Sequence, residues 1–391
     1  MVLGWWLTFY LWISPVVGGY PLDLRVYLRG GAAILHGEAL YSPAVSEQGS
    51  STVRYGFTYP PFAADLFAGP SRWPVLLDLV LVLAVSLACL ALLVRYAAPC
   101  LLRRAWDGRS WLAVLVVVAV LSCDPVRENL LLGQVNLVLA AFAVLDVSER
   151  TPRPVRGALI GVAAGIKLVP AIFVAYLLLR RRFADAARAV AAFLVTVGIG
   201  WLVSAPDSHT YWFHDIYSPS RTGDTSRPSN QSVYGMVERL VPNHHVRAVL
   251  WVLGVLVVLA LGASAALRCV AAGREPLAVA IVGVVGCLVT PVAWTHHWVW
   301  CVPLVLGSWD VVRERTAGRW LLAVAVVFFL IGTEQPPLTS TYSVGPGRWI
   351  LENGFVLLGL AVIGYLWRVA AAGRDGGYHG NRPPGLHGSD G

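Results

Sequence analysis

The chain has 391 residues, of which 57% are hydrophobic and 13% charged, with a mean hydropathy of +0.65. A soluble domain carries about 25% charged residues, so a string of soluble domains is excluded in favour of an all-α polytopic membrane protein. The net charge of +8 does not point to nucleic acid, because no nucleic-acid motif or aromatic-interleaved basic patch occurs and the arginines fall in short clusters between apolar runs, as in cytoplasmic loops.

Apolar runs occupy 1–17, 74–96, 111–123, 130–147, 157–167, 168–180, 186–204, 246–267, 276–290, 297–312, 319–333 and 349–368. Together they predict about twelve passes. No basic residue precedes Arg25 and no cleavage site is visible. The run 1–17 therefore reads as a first span rather than a signal peptide, with a cytoplasmic lead that is short or lies before Met1. With the N-terminus inside, the inner loops and the C-terminal tail hold 19 of the 30 basic residues. The three longest polar connections, 18–73, 205–245 and 334–348, then fall outside, and both termini are cytoplasmic. The high tryptophan count suits residues at the two membrane interfaces.

One stretch fixes the parity. Arg156 and Arg180 flank an apolar segment broken at Lys167-Leu168-Val169-Pro170. Read as a hairpin of two short passes, it keeps both arginine clusters inside and puts the single lysine of the chain at the tip; Pro170 breaks the helix there. In the first outer loop, 18–73, a short helix starting at Asp23 puts Asp23 and Tyr27 on one face at i,i+4. Phe57-Thr58-Tyr59-Pro60-Pro61-Phe62 reads as a rigid turn closing that loop at the membrane surface. The chain from Gly373 to Gly391 reads as a disordered cytoplasmic tail; residues 1–372 form a single transmembrane domain.

The polar residues on the outer side carry the chemical options. Asp23 is either a general base for a hydroxyl nucleophile or an interfacial aspartate paired with Arg25 or Arg29. Asp124-Pro125-Val126-Arg127-Glu128 reads as a helix cap with a local ion pair. Lys167 either snorkels or binds a phosphate as a point charge. His296 and His297 are either part of an aromatic interface or contacts for phosphate and protons. The six cysteines form no CxxC, and the histidines show neither zinc nor haem spacing. Asn230-Gln231-Ser232 matches a glycosylation sequon, a pattern common by chance.

Taken in order, Asp23-Leu24-Arg25-Val26-Tyr27, Tyr59-Pro60-Pro61-Phe62, Gly133-Gln134-Val135-Asn136, Gly165-Ile166-Lys167-Leu168-Val169-Pro170, Asn230-Gln231-Ser232 and Thr295-His296-His297-Trp298 resemble glycosyltransferase family 87. These are the actinobacterial polyprenyl-phosphomannose-dependent α-mannosyltransferases. The resemblance spans roughly residues 5 to 368. It implies a GT-C fold in the cell membrane, with the active site in extracytoplasmic loops. The donor would be polyprenyl (decaprenyl) phosphomannose and the acceptor a mannolipid, a phosphatidylinositol mannoside or lipomannan. Transfer would be inverting, with Asp23 as the base.

Lys167 with His296 or His297, aided by Arg127 or Arg348, would hold the leaving phosphate. Tyr27, Tyr59, Gln134 and Asn136 would contact sugars, with Asn230 and Gln231 on the sugar or acceptor side. A monophosphate leaving group can be balanced by fixed cations, so the expectation is no metal and no cofactor. Two other classes stay open: a sibling enzyme using another polyprenyl-phospho-sugar such as arabinofuranose, and a transporter of lipid-linked sugars. The transporter reading is disfavoured by a broken hairpin in one half only.

Overall fold

The computed structural model describes residues 21–49, 54–99, 111–148, 150–333 and 346–369, so the expected first span 1–17 and the tail 373–391 lie outside the described residues. Helices dominate. Ahead of the first long apolar helix, α1 (Leu22–His36) is followed by a small antiparallel hairpin, β1 (Ser46–Gln48) with β2 (Arg54–Gly56), and by α2 (Pro61–Ala68). The last of these corrects the expected turn. Pro60 stays extended while Pro61 opens a helix, the position where a missing N–H costs nothing.

Next come α3 (Val75–Ala97), α4 (Trp111–Ser122), α5 (Asp124–Leu132) and α6 (Asn136–Val147). The run 130–147, expected as one straight pass, is bent by 114° between α5 and α6. Gly133 makes the bend, with φ of +69°. A β-carbon there would stand 2.8 Å from Leu24 Cβ, so only glycine lets the start of α1 dock on the break.

The Lys167 segment is a hairpin. α7 (Ala158–Ile166) and α8 (Ile172–Leu179) are followed by α9 (Phe183–Val203). A β-carbon on Gly157, Gly161 or Gly165 of the α7 strip would lie 2.1, 2.2 and 2.1 Å from Asp185 O, Ala189 O and Thr196 Oγ1. Ascending numbers match on both sides, so α7 and α9 run parallel through a small-residue interface. The intervening α8 must therefore return. The arginines gather at the far end from the tip. Arg182 donates to Val147 O at 2.9 Å and Asp146 O at 3.0 Å, and Arg188 Nε to Arg156 O at 2.8 Å.

The remaining elements are α10 (Ala205–Phe213), α11 (Val233–Glu238), α12 (His244–Ala271), α13 (Glu275–Val289), a 3-10 helix (Thr295–Trp300), α14 (Cys301–Val312), α15 (Thr316–Ile331), α16 (Pro346–Glu352) and α17 (Gly354–Val369). Every residue of α13 from Leu277 to Leu288 is buried, which makes it the central pillar. By length and apolar composition, α3, α9 and α12 can each cross a membrane among the described residues, and the bent pair α5–α6 is a fourth candidate. Several shorter apolar helices pack between them.

Candidate active site

Five segments converge on the mouth of the hairpin. The α5–α6 break supplies Gln134 and Asn136, α1 supplies Asp23 and Tyr27, the bend leading into α2 supplies Tyr59, the α7–α8 tip supplies Lys167, and the 3-10 helix supplies His296 and His297. Gln134 lies at the centre. Its Nε2 donates to Asp23 Oδ2 at 2.8 Å and to the Tyr59 hydroxyl at 3.2 Å. Its Oε1 accepts from the Tyr27 hydroxyl at 2.9 Å and from Asn136 Nδ2 at 3.3 Å. The Tyr27 and Tyr59 hydroxyls are 3.1 Å apart and their rings pack at 5.1 Å. The i,i+4 reading of Asp23 and Tyr27 therefore holds: both side chains reach the same amide.

The second half of the site is cationic. Lys167 is buried and its Nζ donates to Asn136 Oδ1 at 2.8 Å. It lies 2.8 Å from His297 Nε2 and 5.3 Å from the centre of the Tyr59 ring. An ammonium can only donate, so Nε2 accepts and the proton of the His297 ring sits on Nδ1. That Nδ1 and the Nε2 of His296 are buried without a hydrogen-bond partner among the described residues. Asn136 Nδ2 also donates to the His296 carbonyl at 3.1 Å, fixing the histidine turn to the break. A cavity of about 30 Å³ opens beside Lys167, lined by Asn136, His297, Pro170, Phe173, Cys287 and Trp300, with room for a water but not for a sugar.

Burial raises the Asp23 carboxyl from 3.8 to about 6, against the lowering effects of the Gln134 hydrogen bond and the Lys167 charge. Such a carboxylate is ionised at neutral pH yet basic enough to take a proton from a hydroxyl in flight. Its Oδ1 makes no hydrogen bond among the described residues and is free for a substrate. No group of three His, Cys, Asp or Glu side chains comes together to hold a metal ion among the described residues.

Four residues expected at the substrate point elsewhere. Arg127 forms ion pairs with Asp124 and, at 3.6 Å, with Glu128, the local pairing its sequence also suggested. Arg348 pairs with Glu352 at 2.6 Å. Asn230 and Gln231 are fully buried and their amides are spent on backbone. Asn230 bonds Thr225 O, Pro291 O and Ala293 N. Gln231 Nε2 reaches Pro228 O and Glu352 O, each at 2.6 Å, and Oε1 accepts from Phe355 N and Val356 N. With Trp298 Nε1 donating to Gln231 O at 2.9 Å, these residues clasp the histidine turn to α17 and leave nothing for a sugar. The sequence reading also missed Asn129, whose buried amide donates to Gln134 O at 3.1 Å and accepts from Asn136. Its signal is an amide closing the polar run Arg127-Glu128-Asn129, four residues ahead of Gly133.

The model of glycosyltransferase family 87 matches residues 57–291. The chain belongs to that family. The matched stretch includes Tyr59, Gln134, Asn136 and Lys167, while Asp23, His296 and His297 lie outside it. The chain is 37% identical over 332 residues to the polyprenol-phosphate-mannose-dependent alpha-(1-2)-phosphatidylinositol mannoside mannosyltransferase of Mycobacterium tuberculosis (strain ATCC 25618 / H37Rv), covering 80% of this chain and 75% of that one. It is 33% identical to the pentamannoside mannosyltransferase of strain CDC 1551 / Oshkosh, over 89% and 81% of the two chains. A crystal structure of ArnT from Cupriavidus metallidurans in the apo state aligns with TM-score 0.38 and 16% identity over 95% of this chain and 77% of that one.

Proposed function

We propose that this family 87 member is a membrane α-mannosyltransferase. It moves mannose from a polyprenyl phosphomannose to a hydroxyl of a phosphatidylinositol mannoside, forming an α-(1→2) link. The donor and acceptor follow the names of its relatives at 37% and 33% identity. The observation that carries the reading is the pairing, in one site, of a carboxylate with a free oxygen and a buried ammonium flanked by unpartnered histidine nitrogens.

Asp23 Oδ1 accepts the acceptor hydroxyl proton as that oxygen attacks the anomeric carbon. The bond from that carbon to the phosphate oxygen breaks on the opposite face, and polyprenyl phosphate leaves. Displacement from a β-linked donor inverts the centre to α. Lys167, with the N–H groups of His297 and His296, stabilises the charge growing on the phosphate. The arginine clusters at the far end of the hairpin support a cytoplasmic placement for that end and an extracytoplasmic one for the site. A GT-C architecture fits this placement.

The test supplies membranes containing the protein with radiolabelled polyprenyl phosphomannose and a phosphatidylinositol mannoside. The expected product carries one added mannose, which linkage analysis places at a 2-hydroxyl. Transfer from polyprenyl-phosphoarabinose instead, or movement of intact lipid-linked sugar without transfer, would overturn the proposal.

A further inference from the structure

The amides of Gln134 and Asn136 have no capacity left for a sugar. Gln134 is 2% exposed, and its two nitrogen hydrogens and its oxygen all have partners inside the site. Asn136 is 7% exposed; its oxygen accepts a hydrogen bond from the Lys167 ammonium, and its nitrogen donates to Asn129, Gln134 and the His296 carbonyl. The two orientations are fixed by chemistry rather than by choice. A carboxylate accepts and an ammonium donates, so Gln134 must turn its nitrogen to Asp23 and Asn136 its oxygen to Lys167.

The result is one chain of hydrogen bonds, Asp23–Gln134–Asn136–Lys167, with opposite charges at its ends and two neutral amides between. Asp23 and Lys167 make no ion pair with each other among the described residues. Oppositely charged groups this close in a site of low dielectric would otherwise gain by direct contact. That contact would consume the free carboxylate oxygen and neutralise the ammonium.

We propose that Gln134 and Asn136 are positioning residues that hold Asp23 and Lys167 at the two ends of an amide bridge and keep them from pairing. The inference rests on the catalytic reading of Asp23 and Lys167 given above. Gln134 anchors Oδ2 so that Oδ1 faces the acceptor. Asn136 anchors Nζ so that its charge faces the phosphate. Gly133 and the 114° bend are what place two amides, one residue apart in sequence, between the charges.

The groups that face Asp23 define what a pH profile would report. They are Tyr27 on its own helix, Tyr59 beside it, Glu128 on α5 and Lys167 at the hairpin tip. Gln134→Glu adds a second carboxyl next to Asp23, and two carboxyls sharing a site push one proton affinity up.

The experiment measures kcat, donor KM and the acid limb of the rate profile for Gln134→Glu, Gln134→Ala, Asn136→Asp and Asp23→Asn in detergent-purified protein. Gln134→Glu is expected to move the acid midpoint upward by about one unit or more. Gln134→Ala should lower kcat at least about tenfold with donor KM within about threefold, since only the base is released. Asn136→Asp should give Lys167 an anionic partner and raise donor KM about tenfold or more. A folded Gln134→Glu with the wild-type midpoint, or an Asn136→Asp with the wild-type donor KM, overturns the bridge. If Gln134→Ala does not fold, the midpoint of Gln134→Glu still decides. Full activity in Asp23→Asn would instead sink the catalytic reading beneath it, a separate outcome.

Discussion

Replacing Asp23 by asparagine should abolish transfer and also make the protein more stable at neutral pH. The folded protein holds the Asp23 proton up to about pH 6, whereas an exposed aspartate releases it near 3.8. Between those values the folded state binds more protons than the unfolded state. Stability therefore falls as pH rises through that window and stays lower above it. A difference of about two units at ~1.4 kcal/mol each is about 3 kcal/mol carried by the wild type at pH 7. Asparagine removes that cost but gives up the charge on the hydrogen bond from Gln134, so the expected gain is about 1–3 kcal/mol.

The assay is thermal unfolding of wild type and Asp23→Asn in one detergent over about pH 4 to 8. The two curves should lie close together at the acid end, separate as pH rises from about 4 to about 6 and run parallel beyond it. A variant that melts at or below wild type above pH 7, or a gap that does not change with pH, would refute the claim that a strained carboxylate sits here for function.

Three further outcomes are expected. Lys167→Gln removes the one ammonium of the site and should raise donor KM about tenfold or more; an unchanged KM would dismiss its phosphate role. Gly133→Ala forces a β-carbon into αL backbone and against Leu24, which should cost about 1–3 kcal/mol and reduce transfer, whereas Gly198→Ala, with open space around it, should melt like wild type or slightly higher; equal melting of the two would contradict the docking of α1. Gln231→Ala leaves the Phe355 and Val356 N–H groups without an acceptor at about 1–3 kcal/mol each, so melting should drop while the surviving enzyme keeps its donor KM; a raised KM would return Gln231 to the substrate.

Much of the site was legible because charge is scarce in this chain. A lone lysine at a proline break, flanked by arginines on both sides, could keep both clusters on one face only by turning back, and Lys167 does sit at that turn. The i,i+4 spacing of Asp23 and Tyr27 gave their common face. The amides were not legible. Gln134, Asn136, Asn230 and Gln231 look alike in sequence, and what separates an active-site bridge from a backbone clasp is the set of groups opposite, which comes from segments about a hundred residues away. The bend at Gly133 was hidden in a run apolar enough to be straight, although a glycine followed by Gln134 and Asn136 marked the place. Pro61 fits a turn as well as a helix start in sequence, because proline ends helices as readily as it begins them.

The length of α7 has a consequence for depth. Nine residues rise about 14 Å, while the hydrocarbon core of a bilayer is about 30 Å thick. In the proposed orientation α7 starts among the inner arginines, so Lys167 lies near the middle of the membrane rather than at its outer edge. The lipid donor then keeps its polyprenyl chain in hydrocarbon throughout and lowers its phosphate to meet the ammonium. The sugar end of the acceptor would have to descend to the same depth, shedding water on the way. Discrimination between acceptors would be exerted on that descent, well above the atoms that react.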